Sequence, residues 1–417
     1  MDAAKEKIPM NEGKLREYAR LIVRVGAAVK KGQPVIIRTD VNNEAFTAIV
    51  VEECYKAGAS RIVYEWKSGP LRALDYRYGD TKVLGHPSPT SYALSKFQAE
   101  ELPAFIWLDN DDPDSLKGVD AAKVAEIRRL NYAEMAEFIE KAENRYQWTI
   151  AGCYGKKWAA KMFPALSEED AKEALWEAIL KTSRADSGDP VKNWDEHERD
   201  LKSRCDKLNS LHLCKLHYTA SNGTDLTVGL IPGVLFMGGG ETDLQGDFFQ
   251  PNIPSEECFT SPMRGKAEGI VYASKPLAYN GQLIDRFSVR FEKGKAVEVQ
   301  AEKGEAALKS ILTLDEGSAY LGECALVPFD SPINRTGLLF FNTLYDENAC
   351  CHLALGRGFT DLYPHFEKYT EDELHAFGIN KSLSHVDFMI GTADLSIVGT
   401  DEEDREIALF KNGTWAF

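Results

Sequence analysis

Residues 34–66 read PVIIRTDVNNEAFTAIVVEECYKAGASRIVYEW, and this stretch decides the fold class. Pro34 to Arg38 is a short apolar run of strand length. Asp40, Asn42 and Asn43 then offer the side-chain oxygens that cap a helix, and the spacing predicts a helix from about 43 to 57. Gly58 ends it, and Arg61 to Trp66 returns to an extended pattern of β-branched and aromatic residues. Strand, helix and strand in so short a span form a βαβ unit, whose crossover makes the two strands parallel.

Outward from this unit, Leu15, Tyr18, Ala19, Ile22, Val23 and Val25 keep a helical stripe that stops at Lys31-Gly32-Gln33-Pro34. Phe105 to Leu108 reads as a further buried strand before the turn-rich DNDDPD at 109–114. From 119 to 210 the pattern is mainly helical. Ser167-Glu168-Glu169-Asp170 opens one helix in the manner of a capping box, and another begins at Pro190 with Trp194, Leu201 and Leu208 facing inward. The texture then turns to β, with alternating runs at 211–218 and 224–229, a strand at 270–276, and a hairpin at 287–302 that turns around Glu292 to Lys295. A helix is expected at 303–313. At 417 residues the chain exceeds what one core usually serves. The expectation is an α/β chain of two domains. An N-terminal α/β domain with parallel βαβ units takes 1–205, and a C-terminal mixed α/β domain richer in antiparallel strands takes 206–417.

A formal charge of −16 argues against nucleic acid as a partner, since phosphate binding needs a basic face. It suits a cationic ligand such as a free amino terminus. The opening MDAAKEKIPMNEGKLREYARL is polar and helical rather than a secretory signal, and no apolar run is long enough to span a bilayer, so no membrane partner is expected. Eight cysteines are scattered without a CxxC, which reads as buried thiols in a reducing compartment; the expected location is cytoplasmic.

The residues that carry chemistry lie in the last two-fifths. They are Glu256 and Glu257 in PNIPSEECFTSP, Glu323 in YLGECALVP, His352 in ENACCHLALG, and His385 with Asp387 in LSHVDFMIG. His385 and Asp387 lie two apart, which on a strand puts both on one face. Glu323 interrupts a run that otherwise reads as a buried strand, where a carboxylate needs a salt bridge or a metal ion. Each residue alone also has a plain reading: an exposed His-Asp pair, a core histidine, a solvated Glu-Glu turn. As a set they are the ligands a pair of borderline divalent ions would need. Asp330, Asp346 and Asn348 are candidates to orient the imidazoles. Gly238 to Gly240 lie in no phosphate-binding frame and read as a tight loop beside the cleft. Ser382 and Ser384 lack the GxSxG elbow of a serine hydrolase.

The segments NIPSEECFTSP, SKPLAYNGQLID, AEKGE, LDEGSAYLGECALVPFDSPI, FFNTLYDENACCHLALG and SHVDFMIG resemble, in that order, the M29 aminopeptidases, the aminopeptidase T or thermophilic aminopeptidase family. The similarity is dense over about 215–395. LIVRVGAAVKKGQPVIIRTD and FPALSEEDA fit the same family more loosely. The resemblance implies a cytoplasmic, homodimeric aminopeptidase that holds two divalent metal ions, zinc or cobalt, and acts on peptides with a free amino terminus. It places Glu257, Glu323, His352, His385 and Asp387 as metal ligands and Glu256 as the catalytic proton carrier, with water between the ions attacking the peptide carbonyl. One departure stands out: the family often has tyrosine seven residues after His352, and here that residue is Phe359. Tyr363 or a water would have to take its part. Two other readings stay open, another dinuclear amide hydrolase (a dipeptidase or amidohydrolase) and a degenerate member that binds peptides without cutting them.

Overall fold

The computed structural model describes residues 12–110 and 112–417. Most of the opening segment weighed against a secretory signal lies outside these residues; the first helix begins at Glu12. The chain forms two compact units, one ending at His197 and taking back Gly240–Pro254, the other made of Glu198–Gly239 and Ser255–Phe417.

In the first unit, β1 (Pro34–Asp40) and β2 (Arg61–Lys67) pair in parallel through the helix Glu44–Ala57, in register from Pro34 opposite Arg61. Gly58 ends that helix with a left-handed φ of 101°, a conformation that suits glycine because it has no Cβ. On the other side of β1 come β3 (Ala104–Asp109), β4 (Trp148–Gly152) and β5 (Asn252–Ile253), giving an all-parallel sheet in the order β2-β1-β3-β4-β5. The reading of 119–210 as mainly helical did not include β4. Its five residues, WTIAG, carry no alternation, because a strand inside a parallel sheet is covered on both faces.

Tyr18, Phe46 and Trp176 join three helices of this unit in one aromatic contact group, with ring centroids 5.0 to 6.5 Å apart. The Tyr18 hydroxyl donates to the Gly152 carbonyl at 2.9 Å and ties the group to the end of β4. Ser167 caps the helix Glu168–Thr182 by accepting from the Asp170 amide, and the helix Pro190–Asn209 buries Trp194, Leu201 and Leu208. The units part within this last helix. The return of Gly240–Pro254 follows from β5, which supplies the last strand of the parallel sheet.

The second unit contains two antiparallel sheets. The larger takes Leu213–Thr219, Asp225–Leu230, Pro262–Tyr272, Gln282–Glu292, Lys295–Lys303, Ser396–Asp401 and Glu406–Lys411 as its longer strands. The hairpin turns at Lys293 and Gly294, and a helix follows at Glu305–Ile311. The strand expected at 270–276 is instead the end of Pro262–Tyr272. A register shift between Pro262 and Ala267 breaks the alternation that would have marked its start. The smaller sheet orders β6 (Cys258–Thr260), β7 (Leu321–Leu326), β8 (His352–Gly356) and β9 (His385–Met389). Cys324, Leu326, Leu353, Leu355, Val386 and Phe388 from this sheet share one core with Leu216, Tyr218, Leu226 and Val228 from the larger one.

Among the described residues no helix is long and apolar enough to cross a membrane. All eight thiols are free, and only Cys214 is exposed.

Because Phe46 stands between Tyr18 and Trp176, Phe46→Ala should destabilise the protein by about 3–5 kcal/mol. Tyr18→Phe, which removes the hydrogen bond to the Gly152 carbonyl, should cost about 1–3 kcal/mol. Urea titration of both variants measures the two costs; an equal loss would show that packing around Phe46 is not tight.

Candidate metal centre

The period of the strands builds this site. Leu353, Leu355, Val386 and Phe388 face the core, so their sequence neighbours His352, Ala354, His385 and Asp387 point to the opposite face of the sheet. In the ladder Glu323 stands opposite Ala354, and Ala354 stands opposite Asp387. Side chains opposite each other share a face, so a carboxylate lies on either side of a methyl group. The smallness of Ala354 leaves the room between them.

Two groups of potential ligand atoms result, Glu257 with Glu323 and His352, and Glu323 with His385 and Asp387; within each group all atoms lie within 4.8 Å. Glu323 belongs to both. One of its oxygens, Oε2, lies 3.0 Å from His385 Nε2, and the other, Oε1, lies 3.9 Å from His352 Nε2. Glu257 Oε2 is 3.1 Å from His352 Nε2, and Asp387 Oδ1 is 3.2 Å from His385 Nε2. Glu256 is buried beside Glu257 but enters neither group.

Both imidazoles are oriented by main-chain carbonyls. His352 Nδ1 faces the Cys350 carbonyl at 3.3 Å, and His385 Nδ1 faces the Arg357 carbonyl at 2.7 Å. A carbonyl only accepts, so each Nδ1 carries a proton and each Nε2 is turned to the carboxylates. Asp330, Asp346 and Asn348, expected to orient the rings, do other work. The Asp346 carboxylate accepts from the Phe340 and Asn342 amides and holds the loop before it. Asn348 Oδ1 accepts from the Glu256 amide at 2.7 Å, so it places the Glu256-Glu257 segment. The Asp330 carbonyl accepts from Arg335 Nε.

Gly238 has a role that its sequence did not disclose. A Cβ there would lie 2.2 Å from the Glu257 carbonyl oxygen, so only glycine lets this segment lie against the backbone that carries Glu257. The adjoining Met237 and Phe259 exchange backbone hydrogen bonds at 2.9 and 2.7 Å. Sequence reading also passed over Glu347. Burial, and then the charges of Asp387, Glu257 and Glu323, push its carboxyl well above the ordinary range. Set between Asp346 and Asn348 in a polar stretch, it gave no sign of burial in the sequence. Phe359 lies with its ring centroid 5.1 Å from that of His385 and 5.2 Å from that of Phe259. Tyr363, considered as a substitute for the missing phenol, packs instead against Tyr369 and Phe377. A small pocket lined by Leu277, Ala278, Asn342, Thr343, Asp346 and Met389 adjoins Asp387.

Among the described residues the cationic partners of Glu257, Glu323 and Asp387 are the two imidazoles alone, with no lysine or arginine in reach. Burial raises the Glu323 carboxyl to about 7, against the His385 hydrogen bond and together with repulsion from Glu257 and Asp387. Burial alone would lower His352, but its hydrogen bond to Glu257 and the surrounding carboxylates outweigh that and raise it to about 9. The same contest raises His385 well above its usual value, with Asp387 the leading opponent of burial. Asp387 Oδ1 is buried, and its contact is the His385 imidazole. Buried carboxylates in excess of the imidazoles, with each Nε2 turned toward carboxylate oxygens, fit divalent cations.

The profile of the thermophilic metalloproteases (M29) matches residues 11–415. The chain belongs to the M29 family. Aminopeptidase AmpS of Bacillus subtilis is 37% identical over 97% of this chain and 98% of its own length. Aminopeptidase T of Thermus thermophilus is 37% identical over 96% of this chain and 98% of its own. The solved structure of wild-type AmpT from Thermus thermophilus superposes with a TM-score of 0.88 at 35% identity, covering 97% of this chain and all of that one. A 2,5-dihydroxypyridine dioxygenase from Pseudomonas putida shares the fold alone, with a TM-score of 0.50 at 11% identity. The M29 match makes the chain a metalloprotease, in keeping with the two groups of potential ligand atoms on this face.

Two outcomes follow from this geometry. In the metal-free protein Glu323 is raised from 4.5 to about 7 and His352 from 6.5 to about 9, so both bind protons more tightly folded than unfolded. The stability they contribute is whole below the unfolded values and is lost as pH rises through the folded ones. Asp387, shifted the other way, matters only below its usual acid range. Chelator-stripped protein should therefore lose on the order of a few kcal/mol between about pH 5 and pH 9. Urea titrations across that range test this, and added zinc should flatten the profile. Separately, Ala354→Leu should fill the space between Glu323 and Asp387 and lower metal content; a variant with unchanged metal content would contradict the role given to that methyl group.

Proposed function

We propose that this metallo-aminopeptidase of the M29 family works with two divalent ions, zinc or cobalt. Glu257, Glu323 and His352 hold one and Glu323, His385 and Asp387 hold the other. The observation that carries this reading is Glu323, whose two oxygens are turned toward different imidazoles. A carboxylate so placed would be shared by both sites and would neutralise part of the charge held there. When bound, such ions supply Lewis acidity, lowering the pKa of water and polarising a peptide carbonyl.

The chain's own groups account for the remaining steps. Glu256, buried next to the ligand Glu257 and fixed through its amide by Asn348, takes the proton of the attacking water and delivers it to the leaving amine. The excess of carboxylates receives the substrate's cationic amino terminus, which restricts cleavage to the end of a peptide. Phe359 presents a ring without a hydroxyl to the His385 side of the site, so it neither ligates nor donates to the developing oxyanion. Its part is to shield that imidazole from water. We assign the chemistry to the C-terminal domain, and the whole to a homodimer in the cytoplasm. Eight unpaired thiols suit a reducing compartment.

Amino-acyl chromogenic amides test the reading. Chelator-stripped protein should be inactive, zinc or cobalt should restore it, and substrates with blocked amino termini should resist cleavage. Glu323→Gln should release ions and lower kcat/KM by roughly a thousandfold or more. Glu256→Gln should keep its ions while kcat falls by about 10²–10⁴. Equal metal loss in both variants would show that the division of labour between Glu256 and Glu257 is wrong, and full activity without metal would sink the mechanism.

A further inference from the structure

His385 is the first residue of β9, and residues 380–384 before it have no regular secondary structure. Strand pairing therefore does not by itself fix the aim of the ring. The fixing contact is the Arg357 carbonyl, which accepts from Nδ1 at 2.7 Å and so directs Nε2 to Glu323 and Asp387. A carbonyl in a turn can rotate with its peptide plane, so what holds Arg357 decides the orientation of the ligand.

Asn380 grips the chain on both sides of that residue. Its side-chain amide donates to the Gly356 carbonyl at 2.5 Å, and its main-chain carbonyl accepts from the Gly358 amide at 2.9 Å. The second hydrogen of the same amide goes to the Gly317 carbonyl at 2.9 Å. Asn380 is fully buried. The Arg357 amide donates to Ser384, next to His385, at 2.6 Å, which closes the loop of contacts. The wall behind is β7, for a Cβ on Gly322 would lie 2.1 Å from the Arg357 oxygen. Asp315 anchors the same stretch independently. It accepts from Ser382 Oγ at 2.9 Å and from the Leu383 amide at 2.6 Å.

We propose that Asn380 is a positioning residue of the metal centre. By tying the Gly356 and Gly317 carbonyls its side chain seats the main-chain carbonyl that holds the Gly358 amide, and so aims the Arg357 carbonyl at His385 Nδ1 and keeps Nε2 turned to the ion proposed with Glu323 and Asp387. This rests on the reading of His385 as a ligand. Asn380 touches neither substrate nor ion and acts through two peptide groups and one imidazole. Its amide nitrogen faces two carbonyl oxygens, so a carboxylate of the same shape would repel both.

The test is a cobalt(II) titration of chelator-stripped protein, following bound ion and visible absorption, with wild type, Asn380→Ala, Asn380→Asp and Leu308→Ala. Leu308 is buried in the core of the same unit outside the site, and its variant reports the effect of lost stability alone. In both Asn380 variants one ion should bind about 10–100-fold more weakly, with an altered cobalt spectrum, while the other binds as in wild type. Leu308→Ala should bind both ions normally. If Asn380→Ala fails to fold, the isosteric Asn380→Asp carries the comparison. Asn380 variants that bind both ions like wild type, whatever their melting temperature, overturn the proposal. Wild-type protein that takes up no cobalt overturns instead the reading of His385 as a ligand.

Discussion

The structure turns on one electrostatic constraint, the burial of several carboxylates on a sheet face where, among the described residues, two imidazoles balance them. An isolated charge in such a place costs several kcal/mol, and the protonation equilibria show the strain, with Glu323 and His352 both raised. Protons can relieve it in the metal-free chain. Divalent cations relieve it with a geometry that protons lack, because an ion draws several ligands to one point. The order of the site segments, the small residue at Ala354 and the close approach of Gly238 to Glu257 all serve that convergence.

The same alternation that builds the core of the second unit builds its chemistry. Leu353, Leu355, Val386 and Phe388 bind the small sheet to the large one, and their neighbours carry the candidate ligands on the far face. Residues two apart on a strand are thus committed together. A shift of register by one would exchange core and ligand faces, so the packing that stabilises the unit also keeps the ligands in place. The imidazoles gain a second level of control from main-chain carbonyls at Cys350 and Arg357. These contacts choose the tautomer without adding further charge to a face that already carries too much.

Phe359 shows how one substitution acts within such a frame. Its ring lies against His385 and Phe259 and brings apolar surface where a phenol would bring a donor. Tyr363 packs its ring with Tyr369 and Phe377 in a group of its own. An ion held as proposed on the His385 side would therefore meet carboxylate and imidazole groups.

Much of this was legible in the chain, and what was legible was local. The βαβ unit at 34–66, the cap at Ser167, the inward face of the helix after Pro190 and the hairpin at Lys293-Gly294 follow from short-range periodicity and turn chemistry. So did the oddity of Glu323 in an apolar strand and the shared face of His385 and Asp387. The strand at 148–152 escaped because a strand covered on both faces has no alternation to read, and Glu347 escaped because its partners lie far away in sequence. Gly238, Asn348, Asn380 and the carbonyls of Cys350 and Arg357 could not be found that way at all. Their roles are contacts between segments that only folding brings together. Residue types and their spacing determined which chemistry the chain can perform. Tertiary structure alone decided which oxygen faces which nitrogen, because hydrogen bonds and ion pairs depend on distance in space, and sequence order does not record it.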